Sequence, residues 1–325
     1  MYFTRRNFLT RTGAVAAAFS MQRSMRAFTQ TVGLKTPFRL AVINDEISED
    51  FDHACHVTAV GFGLSWIELR GMWGKNIVNL DAQEIAESKR ILAKYQLRVT
   101  DIASPLFKVD WPGAAASHSA PKQPQFGADF NFQQQNEVLS KCIDLAKTFG
   151  TDRIRCFDFS RLKDQTPYRA AINEKLRDAA SVCAKSNMIL LLENEMTCNT
   201  ATGAEAAKVL TAIPNKNFML NWDPGNAAAA GDTPYPNGYE LLPKERIGHC
   251  HCKDVVRKAD GKFAWAPVGS GIIDWVGQFK ALMKQHYHYG VSLETHWRGA
   301  GTPEASTKES MAGLKKVLRK AGALS

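Results

Sequence analysis

From Phe38 onward the chain repeats one pattern: a short apolar run suited to a strand, followed in nearly every case by a segment of helical periodicity. The spacing predicts strands over Phe38–Ile43, Ser65–Leu69, Arg98–Ala103, Arg153–Phe157, Met188–Leu192, Phe218–Trp222, Ile247–Cys252 and Val291–Leu293. It predicts helices near Asp50–Val60, Ala82–Tyr95 and Phe132–Phe149, the last with Gly150 as its stop. Others open at Pro167 or run over Glu205–Ala212, Trp275–Gln285 and Lys308–Lys320. Strands alternating with helices build a parallel sheet, and eight such units close into a single (β/α)₈ TIM barrel. An open doubly wound sheet would place a glycine-rich phosphate loop after its first strand, and Asn44-Asp45-Glu46-Ile47 is not one. Two loop-like stretches, 108–129 and 227–238, follow strands and so overhang the catalytic mouth.

The N-terminus stands apart from this pattern. Thr4-Arg5-Arg6-Asn7-Phe8-Leu9 precedes a weakly apolar stretch from Gly13 to Phe19, and no acid occurs before Asp45. Paired arginines ahead of a short apolar segment mark a twin-arginine export signal. Residues 1–30 are therefore read as a signal region, cut near Ala18-Phe19-Ser20 or Ala27, and 31–325 as the barrel domain of a periplasmic or otherwise exported protein. The signal also explains most of the basic charge. Arg5, Arg6, Arg11, Arg23 and Arg26 supply five of the nine net positive charges, which removes the case for a nucleic-acid surface. No apolar run approaches the ~20 residues of a membrane span. Self-association is left open.

Four successive strands end on side chains that bind metals. The fifth runs into Glu193, with Asn194 and Glu195 behind it, and the sixth into Asp223-Pro224-Gly225-Asn226. The seventh ends His249-Cys250-His251-Cys252-Lys253-Asp254 and the eighth Glu294-Thr295-His296-Trp297. On adjacent barrel strands these groups converge, and a divalent cation is the simplest way to keep such carboxylates ionised together. Strand alternation puts His249, His251 and Lys253 on one face and Cys250 and Cys252 on the other. With the histidines inward, the cysteines pack beneath helices, and no thiolate site forms. The seven scattered cysteines read as small core groups rather than a disulfide framework. A carboxylate–imidazole set suits Mn²⁺ foremost, with Mg²⁺, Co²⁺ or Zn²⁺ as alternatives. Glu68 at the end of strand two is either a group for substrate hydroxyls or a structural ion pair. Lys253 is a candidate for an oxyanion or carbonyl. His286 and His288 fall at the opposite, stabilising end.

In this order and spacing the residues resemble the xylose isomerase-like superfamily of sugar isomerases and epimerases, whose members include tagatose 3-epimerases, inosose dehydratases and hydroxypyruvate isomerases. The resemblance implies metal ligands Glu193, Asp223, His251 and Glu294, with Glu193 and Glu294 also handling the proton. It implies substrate contacts at Arg257, six residues past His251, and a turn at Pro267-Val268-Gly269-Ser270-Gly271-Ile272-Ile273-Asp274-Trp275. Two positions depart from the epimerase pattern. Asn226 stands where a histidine follows the metal aspartate, and Asn199 where a second glutamate would transfer a proton. These amides, with Glu68 and Lys253, are read as substrate-binding groups.

The implied activity is a metal-dependent isomerase or epimerase acting on a sugar or keto-sugar through a metal-stabilised enediolate. A metal-dependent lyase on a keto-sugar or keto-inositol needs fewer bases, which suits the two asparagines. A non-catalytic exported sugar-binding protein is the alternative from another class. An endonuclease IV-type nuclease shares the barrel but takes more histidine ligands and a basic stripe.

Overall fold

The computed structural model describes residues 34–117 and 130–325; the segment read as an export signal and residues 118–129 lie outside them. Eight parallel strands form the sheet: β1 (Arg39–Val42), β2 (Trp66–Leu69), β3 (Arg98–Leu106), β4 (Arg153–Cys156), β5 (Ile189–Glu193), β6 (Phe218–Trp222), β7 (Ile247–Cys252) and β8 (Gly290–Leu293). Their order is β1-β8-β7-β6-β5-β4-β3-β2, and a parallel bridge between Ile43 and Glu68 brings β1 back to β2. The result is a nearly closed TIM barrel. Around it stand α1 (Phe51–His56), α2 (Ala82–Lys94), α3 (Gln135–Phe149), α4 (Arg169–Lys185), α5 (Gly203–Ala212), α6 (Pro224–Ala229), α7 (Trp275–Lys284) and α8 (Pro303–Ala321).

Local chemistry sets the helix ends. Asp81 with Glu84, and Thr202 with Glu205, form reciprocal capping boxes that satisfy orphan amides of α2 and α5. α3 stops at Gly150, whose φ of 70° is the left-handed cap glycine tolerates best. Pro167 is a correction to the sequence reading: α4 begins at Arg169. Gln165 O accepts from the amides of both Tyr168 and Arg169, at 3.0 and 2.9 Å, so Pro167 belongs to the preceding turn. Strand β3 runs three residues past its predicted end. Its pairing with β4 shifts register between Ile102 and Leu106, and that irregularity accommodates Pro105 within the strand.

Two hairpins were not foreseen: Gly71–Met72 pairs with Lys75–Asn76, and Asp254–Arg257 with Phe263–Ala266. The second is pinned by Asp254. Its carboxylate accepts from the amides of Gly269, Gly271 and Ile273 at 2.9, 3.1 and 3.3 Å, which folds the turn back on the strand that leaves β7. A Cβ on Gly271 would lie 2.1 Å from Asp254 Oδ1, so only glycine allows this approach.

The apolar core lies between sheet and helices, where Trp222, Trp275, Phe279 and Leu282 are buried and Trp222 Nε1 donates to Gln278 Oε1 at 3.0 Å. All seven cysteines are buried and free, Cys250 and Cys252 among them. The barrel interior is polar instead. Glu68, Asp101, Arg155, Asn221, His249, His251 and Ser292 are all buried.

Candidate metal centre

The four strand-end residues meet. Glu193 closes β5, Asp223 caps α6 immediately after β6, His251 lies in β7, and Glu294 follows β8. One ligand atom from each falls within a 4.8 Å cluster, and all four residues are buried. His251 Nδ1 is the centre of the group, at 3.2 Å from Glu294 Oε2, 3.4 Å from Glu193 Oε1 and 3.7 Å from Asp223 Oδ2. Asp223 is fixed by its cap, since Oδ1 accepts from the Asn226 amide at 2.8 Å. Asn194 clamps the same residue, accepting from its N–H and donating to its C=O, both at 2.8 Å.

Burial alone would push these acids up. Around Glu193 the charges of His251 and Arg155 outweigh desolvation and hold its carboxyl at about 2. Around Glu294, Lys253, His296 and His251 likewise outweigh burial, and its carboxyl sits well below the usual range. Glu193 and Glu294 are thus held ionised although both are buried. Asp223 Oδ2 and Glu294 Oε2 lie within ion-pair reach of Lys253 Nζ, at 2.9 and 2.5 Å, yet neither accepts a directed hydrogen bond. Buried carboxylate oxygens without such a partner are costly, and here both lie between the Lys253 ammonium and His251 Nδ1. The set of three carboxylates and one imidazole fits a single divalent cation with positions left over for substrate oxygens.

The other predicted site residues fare differently. Lys253 is buried against the cluster, its ammonium 5.3 Å from the centre of the Trp265 ring on the second hairpin. Asn226 turns to the cluster, but as a brace. Its Nδ2 donates to Glu193 Oε1 at 3.2 Å and to Asn194 O at 3.0 Å. Glu68 is within the barrel rather than at its mouth, with one oxygen 2.9 Å from His251 Nε2 and the other 3.0 Å from His249 Nε2. Asn199 faces away, donating to the carbonyls of Asp158 and Ser160 at 2.7 and 3.2 Å and accepting from the Leu162 amide at 3.0 Å. Arg257 is exposed on its hairpin, 5.0 Å over the Phe263 ring, and is not drawn into the cluster. Glu195 is engaged elsewhere, by the Thr197 amide at 3.3 Å and Lys108 Nζ at 3.5 Å.

Sequence reasoning missed the cations that hold the acids. Arg155 Nη1 donates to Glu193 Oε2 at 3.1 Å from β4, and Arg70, just past β2, ties Glu294 to Asp45 and Glu46. His296 Nε2 lies 3.0 Å from Glu294 Oε1, and the His296 ring stands edge-on to Trp265 at 5.3 Å. Left-handed backbone at Trp73, Phe107, Phe159 and His296 clusters on loops of this same mouth.

Fold and site together define a (β/α)₈ barrel carrying a buried acidic centre on its C-terminal face. The family model of the xylose isomerase-like TIM barrel matches residues 58–317, and the chain belongs to that family. A provisionally named L-ribulose-5-phosphate 3-epimerase of Escherichia coli K12, SgbU, is 25% identical over 276 residues, 81% of this chain and 95% of its own. Among solved structures, AsbF of Bacillus anthracis, titled a probable 3-DHS dehydratase of petrobactin synthesis, superposes with a TM-score of 0.63. It is 22% identical and covers 85% of this chain and 98% of its own. A xylose isomerase-like TIM barrel protein of Mycobacterium smegmatis, solved with magnesium, gives a TM-score of 0.62 at 16% identity, covering 83% and 89%.

Proposed function

We propose that the protein is a divalent-metal-dependent isomerase or epimerase of a sugar, keto-sugar or related polyol. The observation that carries this is the convergence of Glu193, Asp223, His251 and Glu294 on one buried point, where two carboxylate oxygens accept no directed hydrogen bond and have the Lys253 ammonium as a close counter-charge. These four residues would hold the cation, Mn²⁺ foremost. A bound divalent ion supplies Lewis acidity to a carbonyl and its neighbouring hydroxyl, which acidifies the C–H between them. The chain's own groups do the rest. Glu193 and Glu294, both held ionised, are the carboxylates placed to take and return that proton. Lys253 offers a donor to a substrate oxyanion, and Trp265 and His296 wall the mouth beside it. The E. coli relative's epimerase name and the family's fold support this reading.

A second reading is favoured by one specific feature. Asn199 is spent on backbone carbonyls and Asn226 on Glu193, so neither position offers a second base. Elimination from a keto-sugar needs only one, and the B. anthracis structure carries a dehydratase title. The test is a panel of free keto-sugars and keto-polyols incubated with enzyme and Mn²⁺ in D₂O and followed by NMR. Deuterium entering one carbon with mass otherwise conserved supports isomerisation. An unsaturated product supports elimination, and an unchanged panel with binding alone contradicts both in favour of a sugar-binding protein. We further propose that Arg5 and Arg6 direct export to the periplasm. Fractionation of an R5K/R6K double variant should leave the protein in the cytoplasm, and unchanged export would refute the signal.

A further inference from the structure

Two histidines of β7 face the barrel interior, and a single carboxylate from the far side of the barrel reaches both. Glu68 Oε1 lies 2.9 Å from His251 Nε2, and Glu68 Oε2 lies 3.0 Å from His249 Nε2. All three side chains are fully buried. An ionised carboxylate only accepts, so the proton of His251 toward Glu68 must sit on Nε2. In the neutral ring that binds a cation, this leaves the lone pair on Nδ1, the nitrogen that faces Glu193, Asp223 and Glu294. His249 anchors Glu68 in turn, with Ser292 Oγ 3.0 Å from its Nε2 and Asp101 Oδ1 3.5 Å from its Nδ1.

We infer that Glu68 is a positioning residue and not a substrate group: it fixes the tautomer and ring orientation of His251 so that Nδ1 is presented to the cation. This deepens the metal-site reading and rests on it. His249 explains why the strand carries two inward histidines of which one is a ligand. The other holds the carboxylate that orients the ligand. Partners of this kind around metal-bound histidines change affinity by about 10- to 100-fold when removed.

The experiment is calorimetric titration of Mn²⁺ into chelator-treated protein, for the wild type, Glu68→Met and Glu68→Gln. Met keeps the bulk and removes the acceptor, so affinity should fall about 10- to 100-fold. Gln keeps an acceptor oxygen for the same N–H and should retain most of the affinity. A second readout is made on the wild-type protein, with a variant used only for assignment. In Zn²⁺-loaded wild type labelled with ¹⁵N-histidine, the His251 signal, assigned by its loss in His251→Asn, should carry its proton on Nε2. A proton on Nδ1, or Glu68→Met binding as tightly as wild type, overturns the positioning role while leaving the metal site standing. No Mn²⁺ binding by the wild type would overturn both.

Discussion

At the scale of single residues, the centre is held by cations that neutralise it one contact at a time. Arg155 is buried and donates to Glu193, so losing it strands a carboxylate away from water. Arg155→Met should cost about 3–5 kcal/mol in thermal or denaturant unfolding, and adding Glu193→Gln should recover part of that. Equal losses in the single and double variants would show that the pair is not coupled. Asp101 behaves in the opposite sense. Burial, then the charge of Glu68, raises its carboxyl to about 6, and Oδ2 has no partner. A raised acid favours the protonated fold. Its contribution is complete below the unfolded value near 4 and is lost as pH rises through about 6. Asp101→Asn should therefore raise Tm at about pH 7.5 and leave it nearly unchanged at about pH 4. A Tm gain of the same size at both would contradict the shift.

At the scale of elements, strand alternation was the most legible signal. It separated His251 from Cys250 and Cys252, because neighbouring residues of a strand must face opposite sides of the sheet. Cys250→Ser and Cys252→Ser are expected to keep bound metal, measured by metal analysis after chelation and reloading; loss of metal would mean that a thiol faces the centre. Strand ends were legible to within a few residues for the same reason, since apolar runs stop where chains reach the rim. What stayed illegible was the charge inside the barrel. Arg-Ile-Arg-Cys in β4 looks half-solvated, yet Arg153 and Arg155 are both buried, because Gly248 O and Glu193 await them across the interior. Partners that distant in sequence leave no local trace. Arg70 and Glu68 escaped their roles in the same way, and Arg257, which the family resemblance assigned to substrate, is exposed on its hairpin. Packing adds one further constraint. A Cβ on Gly290 at the start of β8 would lie 2.3 Å from His249 Cε1, and that ring is held by Glu68. Gly290→Ala should destabilise by about 1–3 kcal/mol in denaturant unfolding, and a neutral result would mean that His249 has room to move.

At the scale of the whole molecule, the barrel gathers four residues spread over a hundred positions of sequence into a few ångströms, and it seals them there. No helix among the described residues is long and apolar enough to cross a membrane. The fold supplies strand ends, the α6 cap sets Asp223, and the polar interior would orient the proposed ligands from beneath. A cation entering such a site should stabilise the folded chain by mass action. The central claim is that one divalent ion binds through Glu193, Asp223, His251 and Glu294. Titrating Mn²⁺ into chelator-treated wild type and Glu294→Gln tests it most directly. One ion per chain in the wild type, weakened at least about 100-fold in the variant, is the expected result, since even outer partners of metal ligands act on that scale. Absent binding, or equal binding in both proteins, would contradict it.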